Sequence, residues 1–239
     1  MVEALAEAPL APSRSYSRPS ALVAIDGKTY WTKGDVQQGL VAELIAGRLA
    51  AKIGAGPLAK VLRVTSMALP ADGSANHLLG IVCGVEHLEG VVNARELQPL
   101  VASGQLRAGA VEPRSRAKTV VFQSWLGVND QQVLVNLTTG RVCSIDHGDC
   151  FGNLSNPLPI SVVITPIPGV AHNLGSDPSL VDEAVKTVQA ITDTDLLHAV
   201  SQVPLGDAWR SPPDRRLAVA RWLAVRRDNL ASAMAEWRN

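Results

Sequence analysis

Residues 128–151 carry the pattern of a β-hairpin. Two β-prone runs, 133–137 and 141–145, lie on either side of a short polar segment that ends in Gly140. Runs of this length around a turn that contains glycine are typical of paired antiparallel strands. The pattern predicts that the chain folds back on itself here, so that the residues at the two ends of the hairpin lie near each other.

An aspartate lies at each end of this hairpin, Asp130 before the first strand and Asp146 after the second. Two carboxylates that converge where strands end can hold a magnesium ion and accept a proton from a hydroxyl group. Aspartate is also common in ordinary turns, where it hydrogen-bonds the backbone of its own segment. The pair therefore has two interpretations, a metal-binding and catalytic site or two turn residues.

The composition excludes several classes of protein. Lysine plus arginine and aspartate plus glutamate number 22 each among 239 residues, so no net charge attracts nucleic acid or an anionic membrane. The longest apolar runs are too short to span a bilayer. The three cysteines are too few, and odd in number, for a disulfide scaffold. We therefore predict a cytoplasmic protein with neither a nucleic-acid partner nor a membrane partner.

The first part of the chain begins with a tail and a second hairpin. Residues 1–19 carry early charges, prolines and serines, and they predict a disordered tail. Two short β-prone runs, 21–25 and 29–32, flank Asp26-Gly27, a strong signal for a hairpin turn. Lys33 follows the second run directly, which places its side chain at the end of a strand.

A helix is predicted from Val36 to Ile53, where apolar residues recur at steps of three and four. Glu43 lies within it, between Leu40 and Leu44, near the margin of the apolar stripe. Gly54 then ends the helix. This position is compatible with a carboxylate that faces inward, toward a cleft.

The remaining elements predict an α+β chain of two lobes. Strands at 58–64 and 77–85 complete a small antiparallel sheet, and we place the lobe boundary near Gly84. One lobe then spans residues 20–84, and the other spans 85–239 and contains the hairpin. The second lobe is predicted as mainly helical, broken by a polar segment at 109–116, with helices at 117–126, 180–191, 194–200 and 213–237.

Four short segments stand in an order that resembles the HipA-like kinases, a bacterial branch of the protein-kinase-like fold. They are Tyr30-Trp31-Thr32-Lys33, the helical Glu43, the stretch from Phe122 to Asp130, and Ser144-Ile145-Asp146-His147-Gly148. The resemblance extends from about residue 19 to residue 151. It implies a two-lobed protein-kinase-like fold, in which one lobe is a small antiparallel sheet plus a helix and the other is mainly helical.

The resemblance implies a role for each of these residues. Lys33 would contact nucleotide phosphates and Glu43 would orient it, because a flexible ammonium group has to be held in place to stabilise charge in a transition state. Asp146 would bind magnesium, and Asp130 would be the base that accepts a proton from the attacking hydroxyl group. His147 is expected to be a packed or hydrogen-bonded residue of the bend.

The resemblance also implies that the chain is a kinase, a phosphotransferase with ATP and magnesium (Mg²⁺) as cofactors. The backbone of the segment that connects the lobes would meet the adenine. We predict this contact for Ile81, Val82, Cys83 and Gly84. The phosphate acceptor, a protein or a small molecule, is not defined by the sequence.

Two departures from kinase sequences bear on catalysis. Kinase catalytic loops place a metal-binding asparagine just before the hairpin; counted back from Gly140, Val133 takes that place, in a loop about two residues shorter. Gln132 is the candidate substitute as a metal ligand, and Asn136, inside the predicted strand, is a poorer candidate. The hairpin around Gly27 also has no glycine-rich G-x-G-x-x-G string to cover a nucleotide.

Three alternatives stay open. A nucleotide-binding pseudokinase or regulatory interaction module would keep the fold without phosphotransfer. A helical interaction protein without a nucleotide site would hold Lys33 and Asp146 far apart. Cys143, His147 and Cys150 have a spacing that suggests zinc, but a structural zinc site takes four ligands and no second pair stands at a useful spacing.

Overall fold

The computed structural model describes most of the chain. The described residues are 4–5, 8–11, 20–25, 27–34, 39–69, 71–73, 75–96, 99, 102, 111–128, 132–151, 177–205, 209 and 211–236.

The first sheet contains six strands. Their bounds are β1 Ala4–Leu5, β2 Ala8–Ala11, β3 Ser20–Ile25, β4 Lys28–Lys33, β5 Ala59–Val64 and β6 Gly80–Glu86. The strand order is β1-β5-β6-β4-β3-β2, and all neighbours are antiparallel except β1 and β5. β3 and β4 form the hairpin that the sequence predicts. Gly27 adopts a φ of 72° in its turn, a conformation that glycine takes without steric cost.

The prediction of a disordered tail over residues 1–19 is wrong for two short segments. Ala4–Leu5 pairs in parallel with β5, and Ala8–Ala11 pairs antiparallel with β3. The prediction rested on side-chain composition. Pairing at a sheet edge uses backbone N–H and C=O groups, which every residue except proline supplies in full, so composition is a poor guide there.

Helix α1, Gly39–Ile53, packs against β5 and β6. It corresponds to the predicted helix over its described part, and residues 35–38 lie outside the described residues. It ends at Gly54, which has a φ of 72°. Gly47 allows the helix to approach the sheet closely, because a Cβ on this residue would lie 2.5 Å from the Cβ of Ala59.

β6 is a central strand that starts and ends later than the sequence predicts. It begins at Gly80 because Asn76–Leu78 forms a 3-10 turn with the Leu78 side chain buried. It continues to Glu86, so the predicted boundary at Gly84 falls within a strand. Gly84 pairs with Thr32 of β4 on one side and with Lys60 of β5 on the other.

The second sheet contains three antiparallel strands in the order β7-β8-β9, with bounds Val91–Asn93, Gln132–Asn136 and Val142–Ile145. β8 and β9 form the predicted hairpin. Its turn is stabilised by Asn136, whose Oδ1 accepts hydrogen bonds from the backbone of Thr138 at 3.0 Å and Thr139 at 2.8 Å. β7 was not predicted, because three residues are too few to show a period of two.

Helix α2, Pro113–Leu126, begins earlier than the predicted 117–126 and so includes part of the segment that we expected to break the helices. Proline suits the first turn because it lacks an N–H that would be unpaired there. Ser115 secures this turn to the hairpin: its Oγ donates to Glu112 O at 3.0 Å and accepts from Val142 N at 2.9 Å. The helix ends at Gly127, which has a φ of 65°.

The last three helices are α3 Pro178–Gln189, α4 Asp193–Ser201 and α5 Pro213–Glu236. Asp177 caps α3 as predicted, with its side chain accepting from Ser179 N at 2.8 Å. Asp195 belongs to the capping box of α4 and also pairs with Lys52 at the end of α1, at 2.8 Å. These contacts connect α1 to the C-terminal helices.

Arg226 of α5 secures the end of α2. Its guanidinium group donates to the carbonyl oxygens of Trp125 at 2.5 Å and Ser124 at 2.6 Å, in the last turn of the helix. Carbonyl groups there lack the usual i+4 N–H partner, and Ser124 O also accepts from Gly127 N at 3.3 Å. The same group lies over the ring of Trp222, with Cζ 4.5 Å from the ring centroid. Burial lowers the pKa of Arg226 to about 10.

The main core surrounds α1. Buried side chains of α1, α2, the second sheet, the C-terminal helices and one face of the first sheet form one continuous cluster. A smaller cluster, which includes Tyr30, Leu62 and Val82, covers the opposite face of the first sheet. Within the described residues, no helix is long and apolar enough to cross a bilayer.

Candidate functional site

Lys33 is the last residue of β4, and its direction follows from the strand register. It lies opposite Cys83 of β6, which in turn lies opposite Val61 of β5, and Cys83 and Val61 both belong to the main core around α1. Residues in register share one face of a sheet, so Lys33 also points to the face that α1 covers. Its side chain is 21% exposed.

Glu43 lies on α1 and is fully buried among apolar side chains. Its Oε2 accepts hydrogen bonds from Lys33 Nζ at 2.7 Å and from the backbone N–H of His147 at 2.9 Å. A carboxylate without partners would be strongly unfavourable at this depth. These two donors, from β4 and from the segment after β9, compensate its charge.

Asp146 directly follows β9 and has a φ of 56°. This left-handed conformation is unfavourable for residues with a Cβ, although aspartate tolerates it better than most. The bend directs the side chain toward two donors: Oδ1 accepts from Lys33 Nζ at 2.7 Å, and Oδ2 accepts from Gln132 Nε2 at 2.9 Å. The carboxylate is 35% exposed, so one side of it is open to solvent.

The charges of this cluster alter one another's proton affinity. Burial opposes charge on Lys33, but the neighbouring carboxylates of Glu43 and Asp146 outweigh it, and the pKa of Lys33 lies above its ordinary value. Burial likewise opposes charge on Glu43, yet Lys33 and the hydrogen bond from His147 hold the pKa of Glu43 at about 2. Both groups are therefore charged at neutral pH, as an ion pair.

Three further polar side chains form a buried connection behind the ion pair. His147 Nε2 lies 2.9 Å from Ser144 Oγ, which accepts a hydrogen bond from Gln123 Nε2 at 3.0 Å. The imidazole also packs edge-on against Phe122, with ring centroids 5.5 Å apart. The sequence predicts a packed or hydrogen-bonded His147, and the contacts fit that description.

The roles of Ser144 and Gln123 were missed at the sequence level. Gln123 stands between Phe122 and Trp125 on the buried side of α2, where a polar residue needs an internal partner. That signal shows that a partner exists, but it does not identify Ser144, which lies 21 residues away in the chain.

The candidate metal ligands differ in position. Gln132 contacts Asp146 and so belongs to the site. Asn136 makes its hydrogen bonds elsewhere: its Nδ2 donates to Glu89 O at 3.1 Å, and its Oδ1 accepts from the backbone of the hairpin turn. Val133 is 1% exposed and packs in the main core. Asp130, the predicted catalytic base, lies outside the described residues.

Cys83 and Gly84, two of the four predicted adenine contacts, lie within the first sheet. Each of them is paired on both sides, Cys83 with Lys33 and Val61 and Gly84 with Thr32 and Lys60. Backbone groups used in two ladders cannot also bind a base. Ile81 and Val82 are paired with β5, and Val82 is buried in the smaller core cluster.

The cysteines do not form a zinc site with His147. Cys143 and Cys150 are buried free thiols, and burial raises the pKa of both. Both nitrogens of the His147 ring face other groups, Ser144 and Glu43. Among the described residues, no group of three or more histidine, cysteine, aspartate or glutamate side chains is arranged to hold a metal.

Comparison with solved structures supports the assignment of the fold. The crystal structure of the Helicobacter pylori proinflammatory kinase CtkA matches with a TM-score of 0.56 at 12% identity, over 95% of this chain and 94% of that one. The open conformation of CtTel1 and the FAT and kinase domain of CtTel1 give TM-scores of 0.46 and 0.43, at 13% and 14% identity, over 92% of this chain but 11% and 21% of theirs.

No protein-family model and no curated protein sequence matches the chain. At 12% identity the likeness to CtkA concerns the fold, and it extends over nearly the full length of both chains. The chain is therefore an α+β protein with a kinase-like fold.

Proposed function

We propose that this chain is an ATP- and magnesium-dependent phosphotransferase of the HipA-like kind. The observation that carries the proposal is the position of Lys33, which lies 2.7 Å from Glu43 and 2.7 Å from Asp146. A kinase needs a lysine that reaches the nucleotide phosphates, a carboxylate that orients it and a second carboxylate that holds the metal. The kinase-like fold supports the same reading.

The two carboxylates are suited to different tasks. Glu43 is buried and fixed by two donors, so it is suited to hold Lys33 in one orientation. Asp146 is partly exposed, so it is accessible to an incoming ion. When nucleotide binds, Lys33 would exchange Asp146 for phosphate oxygens and keep Glu43. In the ligand-free arrangement the neighbouring carboxylates raise the pKa of Lys33, so the ammonium group is charged before nucleotide binds.

The donor set fits magnesium at Asp146 and Gln132. The Gln132 amide nitrogen lies 2.9 Å from Asp146 Oδ2, and rotation of the amide by half a turn puts its oxygen in that place. Adjacent oxygen ligands around an octahedral magnesium ion lie about 3.0 Å apart. Asp146 and Gln132 would hold the ion, which would supply positive charge next to the phosphates.

We move the proposed adenine contact from Ile81–Gly84 to the segment that follows β6. His87 begins this segment, and two bonds hold it against β4: its N–H donates to Thr29 O at 2.8 Å, and its Nδ1 accepts from Trp31 Nε1 at 2.9 Å. The backbone beyond His87 leads to β7 in the second sheet. Asp130 stays the proposed base, and the acceptor is a protein or a small molecule.

A nucleotide-binding pseudokinase or regulatory module is the second candidate. Val133 has an aliphatic side chain, buried in the core, so it cannot supply the ligand that the asparagine of a kinase provides. If Gln132 does not replace that ligand, nucleotide would bind without transfer. The two candidates differ in one measurable event, the appearance of labelled phosphate on an acceptor.

The test combines binding and transfer. We expect ATP with magnesium to raise the melting temperature of the wild-type protein and labelled γ-phosphate to appear on the protein or on an acceptor in a cell lysate. Asp146→Ala should abolish both effects, whereas Asp182→Asn, on the exposed face of α3, should retain both. Binding without transfer would favour the pseudokinase, and no response to any nucleotide would refute both candidates.

A further inference from the structure

A continuous line of buried polar side chains runs from α2 through β9 to α1. Gln123 Nε2 donates to Ser144 Oγ at 3.0 Å, and Ser144 Oγ lies 2.9 Å from His147 Nε2. On the other side of the imidazole, His147 Nδ1 lies 3.6 Å from Glu43 Oε1. The four residues are at most 2% exposed. Polar groups at this depth are stabilised by contacts with one another, since a buried polar group without a partner is destabilising.

The partners of His147 define its tautomer. Glu43 is ionised and can only accept, so a proton on Nδ1 is the arrangement that makes the contact attractive. Nε2 then accepts from the Ser144 hydroxyl, and the Ser144 oxygen accepts from the Gln123 amide. Among the described residues, Glu43 Oε1 and His147 Nδ1 have no hydrogen-bond partner, since the 3.6 Å between them is an electrostatic contact longer than a hydrogen bond. All donors in the line therefore point toward Glu43.

His147 holds both oxygens of the Glu43 carboxylate. Its backbone N–H donates to Oε2 at 2.9 Å, and its ring faces Oε1. Lys33 donates to the same Oε2 at 2.7 Å. Because His147 is the neighbour of Asp146 in the chain, one short segment carries the candidate metal ligand and the residue that fixes the partner of Lys33.

On the basis of the proposed function, we infer that His147 is a positioning residue that keeps Glu43 oriented toward Lys33 while Asp146 exchanges Lys33 for a metal ion. In the ligand-free arrangement Lys33 has two carboxylate partners. Once Asp146 binds a cation, Glu43 is the carboxylate that directs Lys33 to the phosphates. The orientation of Glu43 then depends on His147.

A purely structural role makes a different prediction, because the imidazole also fills space against Phe122. Two substitutions separate the roles. In His147→Asn the amide nitrogen takes the place of Nδ1, which retains the donor to Glu43 and loses the bond to Ser144. In His147→Gln the longer amide reaches the place of Nε2, which retains the bond to Ser144 and loses the donor to Glu43.

The two variants should rank in opposite orders by melting temperature and by kcat/KM. We expect His147→Gln to have the higher melting temperature, because it keeps Ser144 and Gln123 satisfied. We expect His147→Asn to have the higher kcat/KM for phosphotransfer with ATP and magnesium, with His147→Gln lower than the wild type by about tenfold, as for other residues that orient a catalytic group. If kcat/KM ranks the two variants in the same order as the melting temperature does, the inference is overturned and the proposed function is left intact.

A measurement on the wild-type protein tests the geometry without any activity. Long-range ¹H–¹⁵N correlation spectra distinguish the two tautomers of a neutral histidine, and comparison with His147→Asn assigns the His147 signals among the five histidines. We expect the proton on Nδ1. A proton on Nε2 would overturn the inference even if transfer is observed. A wild-type protein that shows this tautomer but transfers no phosphate would refute the proposed function, and with it the catalytic part of the inference.

Discussion

Lys33 and Asp146 are separated by 113 residues in the chain, yet Lys33 Nζ and Asp146 Oδ1 lie 2.7 Å apart. The contact joins the end of β4 to the residue after β9, and so it joins the two sheets. A helical interaction protein without a nucleotide site would hold these side chains far apart. The observed contact contradicts that expectation, and it defines the place where the candidate chemistry can be tested.

Substitution of Lys33 by methionine should destabilise the protein as well as remove the phosphate-binding group. The change leaves Glu43 buried without its cation, and the loss of one partner of a buried ion pair costs about 3–5 kcal/mol. Chemical denaturation of Lys33→Met and of the wild type would measure the difference in the free energy of unfolding.

Lys28→Met is the matched control, because Lys28 lies in the same strand and pairs with Glu86 at 2.7 Å, but with a side chain that is 57% exposed. An exposed pair of this kind contributes little to stability, because solvent screens it. Equal losses for the two variants would contradict the assignment of Lys33 to a buried ion pair.

Because of Glu43, the free energy of unfolding should depend on pH in the acid range. Its folded-state pKa of about 2 lies below the ordinary value of 4.5, so its contribution is fully present above pH 4.5 and is lost as the pH falls toward 2. We expect Glu43→Gln to be less stable at neutral pH by about 3 kcal/mol. Its free energy of unfolding should also fall less steeply than that of the wild type between pH 4.5 and 2.

Glu183→Gln provides the control for the loss of one carboxylate, since Glu183 is exposed on α3 and forms only an exposed ion pair with Arg114 at 3.4 Å. Its free energy of unfolding at neutral pH should stay close to the wild-type value. A Glu43→Gln profile that runs parallel to the wild type would show that the carboxylate of Glu43 is not held in its ionised form by the fold.

Asp146 combines an unfavourable backbone conformation with a candidate metal ligand, and two substitutions separate these properties. Glycine adopts a positive φ freely, whereas alanine at a φ of 56° pays about 1 kcal/mol. Asp146→Gly should therefore unfold at a higher denaturant concentration than Asp146→Ala. Neither variant should respond to ATP with magnesium. The opposite order of stability would mean that the bend is not retained without the carboxylate.

Substitution of Gly47 by alanine should test how closely α1 approaches the first sheet. Alanine is the better helix former by about 1 kcal/mol, so Gly47→Ala would stabilise an isolated helix. Here the added Cβ would lie 2.5 Å from the Cβ of Ala59, and we expect a net destabilisation. Ala59→Gly in the same protein should restore stability, and a double-mutant cycle measures the coupling. Additive effects would show that the two residues do not contact each other.

Local signals in the sequence predict much of the fold. The hairpin turns at Gly27 and Gly140, the apolar period of α1 and the cap at Asp177 all lie within a few residues of the element that they define. The three-residue strand β7 and the early start of α2 do not have such signals. The first turn of α2 is held instead by contacts of Ser115 and Glu112 with the hairpin, which are distant in the chain.

The candidate site depends more strongly on distant contacts. The residue types of Lys33, Glu43 and Asp146 and their order are visible in the sequence. The resemblance to kinases suggests that their side chains meet. The line from Gln123 through Ser144 to Glu43 has no local pattern, because each member is explained only by a partner on another element. The pairing of Cys83 and Gly84, two of the predicted adenine contacts, has no local signal either, because the register of β6 between β4 and β5 depends on three strands at once.

Because of Arg226, one contact at the end of α2 depends on a helix that is synthesised later. Its guanidinium group binds the final carbonyl oxygens of α2, the helix that supplies Gln123 to the buried polar line. The segments that form both sheets and α2 are synthesised before the segment that forms α5. During translation, Arg226 can therefore bind the end of α2 only after α5 has been synthesised, and until then Trp125 O lacks this donor.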